Sequence, residues 1–411
     1  MKKIAIIGGG ISGLYFANLL NNEKDFEYKI FEKKDNYNFL EGYGIQLSVN
    51  SIKLLNSIGF KNLPASEVSF PSKVNFIQAN NSKKICDIDL TQFNDSLNRY
   101  TTLKRSTLLK FLFQNIPQEK IKFNSNITKV DNSNGIRISF GDNKNEEFDY
   151  LIISDGIFSK TRSLIFNESI YPKYNLNVAL RGKLNGDYGS DISIYMGSNS
   201  HYVIYPVNQN NEYNFVAIIK KKLSSDELQN HDLFKSEEFL ASLVSGLQKT
   251  SQISSKNLSE LKSFPVHVSS EFPSLNKKNI FLSGDALFTF PPSFAQGASQ
   301  SIETANDIFK SIFSGTNEFY QERIRSISSI NNKSKLNHFT FHLSNPINIF
   351  IRNKILKYLS QKIKNFLKII WVKFTELNLQ ALIFVSNHQL ALKNFQIYNA
   401  KMSIRYNFLH Q

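Results

Sequence analysis

The sequence predicts an α/β fold with three parts: an open parallel-sheet domain assembled from separated segments, a mostly antiparallel β-sheet domain, and a helical C-terminal region. Three observations predict it. The chain begins with a strand–helix–strand pattern, residues 174–267 alternate between apolar and polar side chains, and apolar residues recur at three or four positions from Asn317 onward. These periods are typical of a βαβ unit, of antiparallel strands and of helices, respectively.

The first segment contains a buried strand at 3–7, a helix at 11–20 and a second strand at 28–31. Gly59 closes a further helix predicted at 48–58, and another at 106–113 ends before Pro117. Strands follow at 136–140 and 150–154. Because a similar strand returns at 279–283, one domain must be split along the chain. We assign residues 1–70, 96–170 and 275–315 to it, 71–95 and 171–274 to the second domain, and 316–411 to the C-terminal region.

The second domain is predicted to contain strands at 178–184, 191–197, 201–207 and 213–220, with one helix at 236–247. In the C-terminal region, Asn345 and Pro346 are a typical helix start. An apolar stripe follows that start at helical spacing: Ile351, Ile355, Leu359, Ile363, Phe366, Ile370, Phe374 and Leu377.

Three glycines stand between the first strand and the first helix. In this pattern Gly8 permits a tight turn, Gly10 lets the backbone approach a pyrophosphate, and Gly13 lets the helix pack on the strand. Glu32 ends the second strand, where its carboxylate can accept hydrogen bonds from ribose hydroxyls. The segment therefore predicts a Rossmann-like dinucleotide site, without distinguishing FAD from NAD.

Several later segments, in a shared order, resemble the class A flavoprotein monooxygenases, the family of the para-hydroxybenzoate and salicylate hydroxylases. The resemblance spans about residues 1–313. The segments that carry it are GYGIQLSVNSIKLLNSIGF, LKRSTLLKFL, LIISDGIFSKTRS, VALRGKL, HYVIYPV and FLSGDALFTFPPSFAQGASQSIETA. The resemblance implies that the split domain binds FAD.

It further implies a role for single positions. Arg105 would lie near the pyrophosphate or ribityl chain, Asp155 and Gly156 in a second fingerprint shared by FAD and the nicotinamide cofactor, and Asp285 at the ribityl hydroxyls. The loop at 291–298 would pass the isoalloxazine ring. The implied cofactor-binding residues are Gly8, Gly10, Ser12, Gly13, Glu32, Lys33, Gln46, Arg105, Asp155, Gly156, Asp285, Pro291, Gly297 and Ala298.

The implied activity is a monooxygenase in which NADPH or NADH reduces FAD and O2 then forms a C4a-hydroperoxyflavin. That species would hydroxylate an aromatic or phenolic small molecule, a quinone precursor among them. The flavin supplies this chemistry, so no nucleophile motif is expected. Groups that contact the substrate should lie on the antiparallel sheet, and the candidates are Arg181, His201, Tyr202 and Tyr205.

The sequence departs from the family after Gly284–Asp285, where Ala286–Leu287–Phe288 replaces the frequent Ala-Ala-His. An FAD-dependent reductase or dehydrogenase, or a catalytically silent flavin-binding protein docked to a membrane, therefore stays open. A single tryptophan, Trp371, argues against a flavin halogenase, and a single cysteine, Cys86, excludes a paired-thiol site. His338 and His342 are four residues apart but are expected to be ordinary helix residues, with no metal site.

Charge is concentrated at the C-terminus. The formal net charge is +15, of which +11 lies beyond residue 330. A basic helix with an apolar stripe could contact an anionic membrane, cover the FAD domain or form a dimer contact. We expect a cytoplasmic protein, monomeric or homodimeric, with peripheral contact at the inner membrane face as an alternative. No nucleic-acid-binding module is found.

Overall fold

The computed structural model describes residues 1–362 apart from 38, 40–42, 134, 142–143, 167–170 and 274–276. The chain divides into two compact units, Met1–Ser344 and Asn345–Gln411. In chain order, the strands of the described residues are β1 (Lys2–Ile7), β2 (Phe26–Phe31), β3 (Gly44–Leu47), β4 (Val68–Ser69), β5 (Lys73–Gln78), β6 (Lys83–Asp89), β7 (Thr101–Lys104), β8 (Ile121–Lys122), β9 (Ile127–Asp131), β10 (Ile136–Phe140), β11 (Asn145–Phe148), β12 (Tyr150–Ile153), β13 (Lys173–Leu184), β14 (Ile192–Gly197), β15 (Ser200–Pro206), β16 (Tyr213–Lys220), β17 (Leu258–Val268) and β18 (Ile280–Leu282).

The helices of the same residues lie between and after these strands along the chain. They are α1 (Ile11–Leu20), α2 (Val49–Asn56), α3 (Arg105–Gln114), α4 (Lys160–Phe166), α5 (Ser225–Gln229), α6 (Glu237–Gln248), α7 (Gly297–Ser314), α8 (Glu318–Phe341) and α9 (Pro346–Lys362).

A five-stranded parallel sheet forms the centre of the first unit, in the order β18-β12-β1-β2-β8. Its strands come from distant parts of the chain. Ile4, Ile6 and Ile152 are fully buried in it, as expected for a parallel sheet covered on both faces. The prediction of an open parallel sheet assembled from separated segments is confirmed.

A seven-stranded, mostly antiparallel sheet has the order β17-β13-β16-β15-β14-β5-β6. It contains every strand predicted between 178 and 220, together with β5 and β6 from an earlier segment. The pairing of β14 with β5 is parallel, and the other pairings are antiparallel. Helix α6 buries Phe239 and Leu243 against one face of this sheet. The predicted antiparallel part of the fold class is confirmed.

Two smaller sheets, β3-β7-β4 and β11-β10-β9, complete the first unit. Pairing of β3 with β7 sets Gly44 opposite Lys104. It therefore brings the segment after the second parallel strand next to the start of α3, where Arg105 stands.

Helix α8 is held against α7 by charge pairs of low exposure. Arg323 Nη1 lies 2.6 Å from Glu303 Oε2, and Arg323 Nε lies 2.8 Å from Asp307 Oδ2. Helix α9 begins as predicted, since the Asn345 carboxamide oxygen accepts a hydrogen bond from the Ile347 amide at 2.9 Å. The stripe positions from Ile363 onward lie outside the described residues. Within the described ranges, no helix is long and apolar enough to cross a membrane.

Candidate functional site

The glycine turn joins β1 to α1 through tight backbone packing. Gly8 has a φ of +100°, and a Cβ there would come 2.5 Å from the carbonyl oxygen of Ser154. A Cβ on Gly13 would overlap the Gly8 carbonyl oxygen. The Ser154 hydroxyl donates to the carbonyls of Ile7, at 2.9 Å, and Gly8, at 3.0 Å. The close approach of β1, β12 and α1 therefore requires glycine at positions 8 and 13.

The start of α1 faces open space. Gly10 precedes the helix, no side chain caps it, and a Cβ on Gly10 would meet no atom within 4 Å. Beside it, Glu32 Oε2 accepts a hydrogen bond from the Gly9 amide at 2.7 Å, and Oε1 accepts one from the Lys34 amide at 3.0 Å. An uncapped helix N-terminus with room before it suits a phosphate group.

Three other predicted cofactor residues differ in what they contact. The Ser12 and Ser283 hydroxyl oxygens are 2.5 Å apart, and this pair ties α1 to the end of β18. Gln46 accepts a hydrogen bond from the Tyr100 hydroxyl at 2.9 Å. Lys33 is exposed. Ser12 and Gln46 are thus engaged with protein groups, and Lys33 is the one directed to solvent.

Asp285 follows β18 and Arg105 follows β7, and their opposite charges interact. Both side chains are accessible to solvent, yet the surrounding protein desolvates them. This desolvation raises the pKa of Asp285 to about 6, against the opposing charge of Arg105. It also lowers the pKa of Arg105, which Asp285 partly restores. Within the described ranges, neither side chain makes a hydrogen bond or ion pair.

The loop at 291–298 leads into α7. The Pro291 carbonyl accepts a hydrogen bond from the Ser334 hydroxyl at 2.5 Å. Ala295 is left-handed, with a φ of +50°. Gly297 is exposed at the uncapped first turn of α7 with nothing near its missing Cβ, and Ala298 is half-buried. Backbone amides at this turn are therefore open to a ligand.

Asp155 is engaged with the start of α4. Its carboxylate accepts hydrogen bonds from the Ser159 hydroxyl and, at 3.2 Å, from the Thr161 amide. Burial raises the pKa of Asp155, and these hydrogen bonds oppose the rise. Gly156, with a φ of +87°, makes the intervening turn. The structure thus places Asp155 as a cap of α4 and leaves Gly156 beside it.

Arg162, which sequence reasoning missed, connects two turns of the candidate site. Its Nη1 donates to the Ala286 carbonyl at 2.7 Å, and its Nη2 donates to the Ile157 carbonyl at 3.2 Å. This buried arginine joins the Asp155 turn to the turn that carries Asp285. Its signal was present in LIISDGIFSKTRS, where an arginine stands six residues after Gly156.

Two predicted substrate residues lie together near Gln46. The Arg181 guanidinium carbon is 5.3 Å from the centre of the Tyr43 ring. Burial raises the pKa of Tyr205, against the charge of Arg181 and hydrogen bonding to Gln46. Arg181 also contributes to lowering the pKa of Arg105. Arg181 therefore lies within electrostatic reach of both Tyr205 and Arg105.

The other two predicted substrate residues are placed elsewhere. Tyr202 points to the opposite face of the sheet, stacked on Tyr195 with ring centres 4.5 Å apart. His201 shares a face with Tyr205 but is buried against α8, with its Nδ1 2.8 Å from His342 Nε2. The structure therefore places neither of them with Arg181 and Tyr205.

His338 completes a cluster of three histidines with His201 and His342. Its Nδ1 is 3.1 Å from Ser293 Oγ, and its Nε2 is 3.2 Å from the Asn177 carboxamide nitrogen. Among the residues the structure describes, no group of histidine, cysteine or acidic side chains has an arrangement able to hold a metal ion. Sequence reasoning saw only the spacing of His338 and His342, since the third histidine comes from a distant strand.

A pocket of about 380 Å³ opens beside Tyr43, at the ends of β7, β13 and β17. Its lining includes three lysines. Lys104 Nζ lies 2.5 Å from Glu212, and Lys183 Nζ lies 2.6 Å from Glu260. Lys262 is the third.

A family model described as an FAD binding domain matches residues 1–318. The chain belongs to this FAD-binding family. It is 25% identical over 318 residues to the 6-hydroxynicotinate 3-monooxygenase of Bordetella bronchiseptica, covering 74% of this chain and 80% of that protein. It is 24% identical to the enzyme of the same name from Pseudomonas fluorescens, covering 73% and 80%. The resemblance to the class A flavoprotein monooxygenases is confirmed, and with it FAD as the family's cofactor.

Solved structures show the same fold. Klebsiella pneumoniae HpxO complexed with FAD and uric acid superposes with a TM-score of 0.70 at 16% identity, covering 87% of this chain and 93% of that one. A salicylate hydroxylase substrate complex gives a TM-score of 0.70 at 17% identity, covering 90% and 95%. The architecture of this FAD-binding protein is thus shared with both.

Proposed function

We propose that this protein is an FAD-dependent monooxygenase that uses NADPH or NADH and O2 to hydroxylate an aromatic or phenolic small molecule. One observation carries the proposal. Asp285 and Arg105 stand at strand ends of an FAD-binding fold, partly desolvated and without hydrogen bonds within the described ranges. Both side chains are accessible, so the hydroxyl and phosphate groups of a ligand can replace the water around them and form charge-assisted hydrogen bonds.

The described residues fit FAD. The open start of α1 at Gly10 would take the pyrophosphate, and Glu32 would take ribose hydroxyls. Arg105 would contact the pyrophosphate or ribityl chain, and Asp285 would accept hydrogen bonds from ribityl hydroxyls. The Gly297 and Ala298 amides would contact the flavin ring. When bound, FAD supplies the redox and oxygen chemistry.

Arg181 and Tyr205 are the residues we propose for substrate orientation. Arg181 offers a cation to a phenolate or carboxylate oxygen. Because burial raises the pKa of Tyr205, its hydroxyl stays protonated at neutral pH and donates a hydrogen bond instead of acting as a base. The electrostatic influence of Arg181 on both Arg105 and Tyr205 supports this assignment.

For the reductant, the pocket beside Tyr43 is our candidate. Its lysines, Lys104, Lys183 and Lys262, outnumber its two glutamates, which favours an anionic nucleotide. Comparing kcat/KM for NADPH and NADH tests the choice between them. The Lys262→Gln variant should raise KM for the reductant without changing the amount of bound FAD.

The decisive experiment follows oxygen uptake by the purified protein with a panel of hydroxylated pyridines and benzoates. Substrate-dependent uptake with a hydroxylated product supports the proposal. Reductant oxidation that persists without oxygen supports a reductase instead, and bound FAD without any turnover supports a silent flavin protein. Tyr205→Phe should raise KM for the substrate about tenfold. Tyr202→Phe, on the same strand but the opposite face, should leave KM unchanged.

We also propose peripheral membrane contact through α9, considered by itself. Its sequence has no acidic residue between 346 and 362. Ile347, Phe350 and Tyr358 are exposed on it, and Lys354 Nζ lies 5.4 Å from the Phe350 ring centre. Apolar and basic side chains on one helix favour an anionic interface. The full chain should sediment with phosphatidylserine vesicles, and a chain ending at Ser344 should not.

A further inference from the structure

Tyr37 is held in an aromatic cluster behind the glycine turn. Its ring centre lies 5.6 Å from that of Phe39, in a stacked arrangement, and 4.8 Å and 5.4 Å from those of Phe113 and Phe123, both edge-on. These contacts hold the ring in one orientation and therefore fix the position of its hydroxyl oxygen.

That hydroxyl points at the glycine turn. A Cβ built on Gly9 would overlap the Tyr37 hydroxyl oxygen, and the same Cβ position is 3.1 Å from Glu32 Oε2. The Tyr37 hydroxyl therefore lies over the Gly9 backbone, beside the carboxylate of Glu32 and the uncapped start of α1. Here the fold presents a ribose-binding acid and a phosphate-binding helix end together.

The Tyr37 hydroxyl is nevertheless buried without a hydrogen-bond partner among the described residues. A buried polar group without a partner destabilises the protein, and phenylalanine would keep the aromatic packing without that cost. The Gly9 amide is itself a donor. The nearby Glu32 carboxylate accepts from the Gly9 and Lys34 amides and makes no hydrogen bond with this hydroxyl. The missing acceptor is therefore best supplied by a ligand with exposed oxygens at this turn.

We propose that the Tyr37 hydroxyl donates a hydrogen bond to an oxygen of the adenosine diphosphate portion of bound FAD. This inference rests on the proposed FAD site at Gly10 and Glu32. Burial and the nearby charge of Glu32 both raise the pKa of Tyr37. The phenol therefore remains a donor throughout the neutral pH range.

The test compares Tyr37→Phe with Tyr28→Phe. Tyr28 lies on β2, and its hydroxyl donates to the Asn21 side chain at 2.5 Å, within the protein. Apoprotein of each variant is titrated with FAD and, separately, with ADP, and its thermal unfolding is followed without ligand. ADP isolates the half of the cofactor that Tyr37 would contact.

For Tyr37→Phe we expect an equal or higher unfolding temperature without ligand and about five- to tenfold weaker binding of both FAD and ADP. For Tyr28→Phe we expect a lower unfolding temperature and unchanged affinities. If Tyr37→Phe binds FAD and ADP as tightly as the unmodified protein, or more tightly, the tyrosine only fills space and the inference is wrong. If the unmodified protein binds neither ligand, both this inference and the proposed FAD site are wrong.

Discussion

The two ends of the candidate FAD site differ in whether their charged side chains are hydrogen-bonded within the protein. At the glycine turn, Gly8 and Gly13 are packed against backbone, and Glu32 already accepts two amide hydrogen bonds. At the other end, Asp285 and Arg105 are partly desolvated and make no hydrogen bond within the described ranges. The glycine packing at the first end is therefore part of the fold itself, whereas the charged pair at the second end is, in our proposal, engaged by the ligand. Substitution of Gly13 should therefore affect folding, and substitution of Asp285 should affect binding.

The largest effect is expected from Gly13→Ala. The new Cβ would overlap the Gly8 carbonyl, so α1 must move away from β1, at a cost of about 3 kcal/mol or more in unfolding free energy. Gly10→Ala is the matched control, because its φ of −79° suits alanine and its Cβ meets no protein atom. That control should unfold normally without ligand but bind FAD more weakly. Thermal unfolding and FAD titration of both variants measure this, and a normally stable Gly13→Ala protein would contradict the comparison.

Asp285→Asn should weaken FAD binding without destabilising the protein, in contrast to Gly13→Ala. It removes a partly desolvated charge, so stability without ligand should stay unchanged or rise. It also removes a charged acceptor for hydroxyl donors, which should weaken FAD binding by about 10- to 100-fold. Reconstitution of apoprotein followed by flavin fluorescence measures the affinity. Loss of stability in the absence of FAD would show that Asp285 belongs to the scaffold.

Proton linkage at Asp285 gives a smaller effect. Its pKa is about 6 in the absence of FAD, and hydroxyl donors favour the ionised carboxylate, so binding below pH 6 requires loss of a proton. The dissociation constant for FAD should therefore fall as pH rises from 5 to 7, by at most about tenfold per unit below the pKa. The dependence should flatten in Asp285→Asn. An equal slope in both proteins would assign the linkage to another group.

The smallest effect is expected in the loop before α7. Ala295 has a φ of +50°, which an L-residue adopts at a cost of about 1–2 kcal/mol and glycine does not. Ala295→Gly should therefore raise the unfolding temperature by a few degrees or leave it unchanged, because the greater freedom of the unfolded chain opposes the gain. Ala298→Gly, inside the first turn of α7, should lower it. A drop for Ala295→Gly would mean that the methyl group makes a needed contact.

The sequence was most informative where structure is local. The bounds of α1 agree with the predicted helix 11–20, because glycine spacing and apolar periodicity are properties of neighbouring residues. Alternation along β15 also separates Tyr202 from Tyr205, but which of them lies near Arg181 and Gln46 depends on what covers each face of the sheet. The contacts of Asp155 with Ser159 and Thr161 similarly depend on how one turn folds.

Other features arise only when distant segments meet. Tyr37 has no motif of its own, and its importance depends on the turn at Gly9 and on three phenylalanines. The histidine cluster combines His201 from β15 with His338 from α8 and with His342, which directly follows that helix. The spacing of residues along the sequence does not indicate such long-range contacts. They are set by the packing of α8 against the sheet.

The hydrogen bonds from α8 to the loop before α7 have a consequence for exchanging parts between relatives. The family match ends at residue 318, yet Ser334 donates to the Pro291 carbonyl and His338 is hydrogen-bonded to Ser293. A chimaera joined at residue 318 would place a foreign helix against this loop and lose both partners. If the two parent sequences are joined after Ser344 instead, the loop and its supporting helix both come from the same parent.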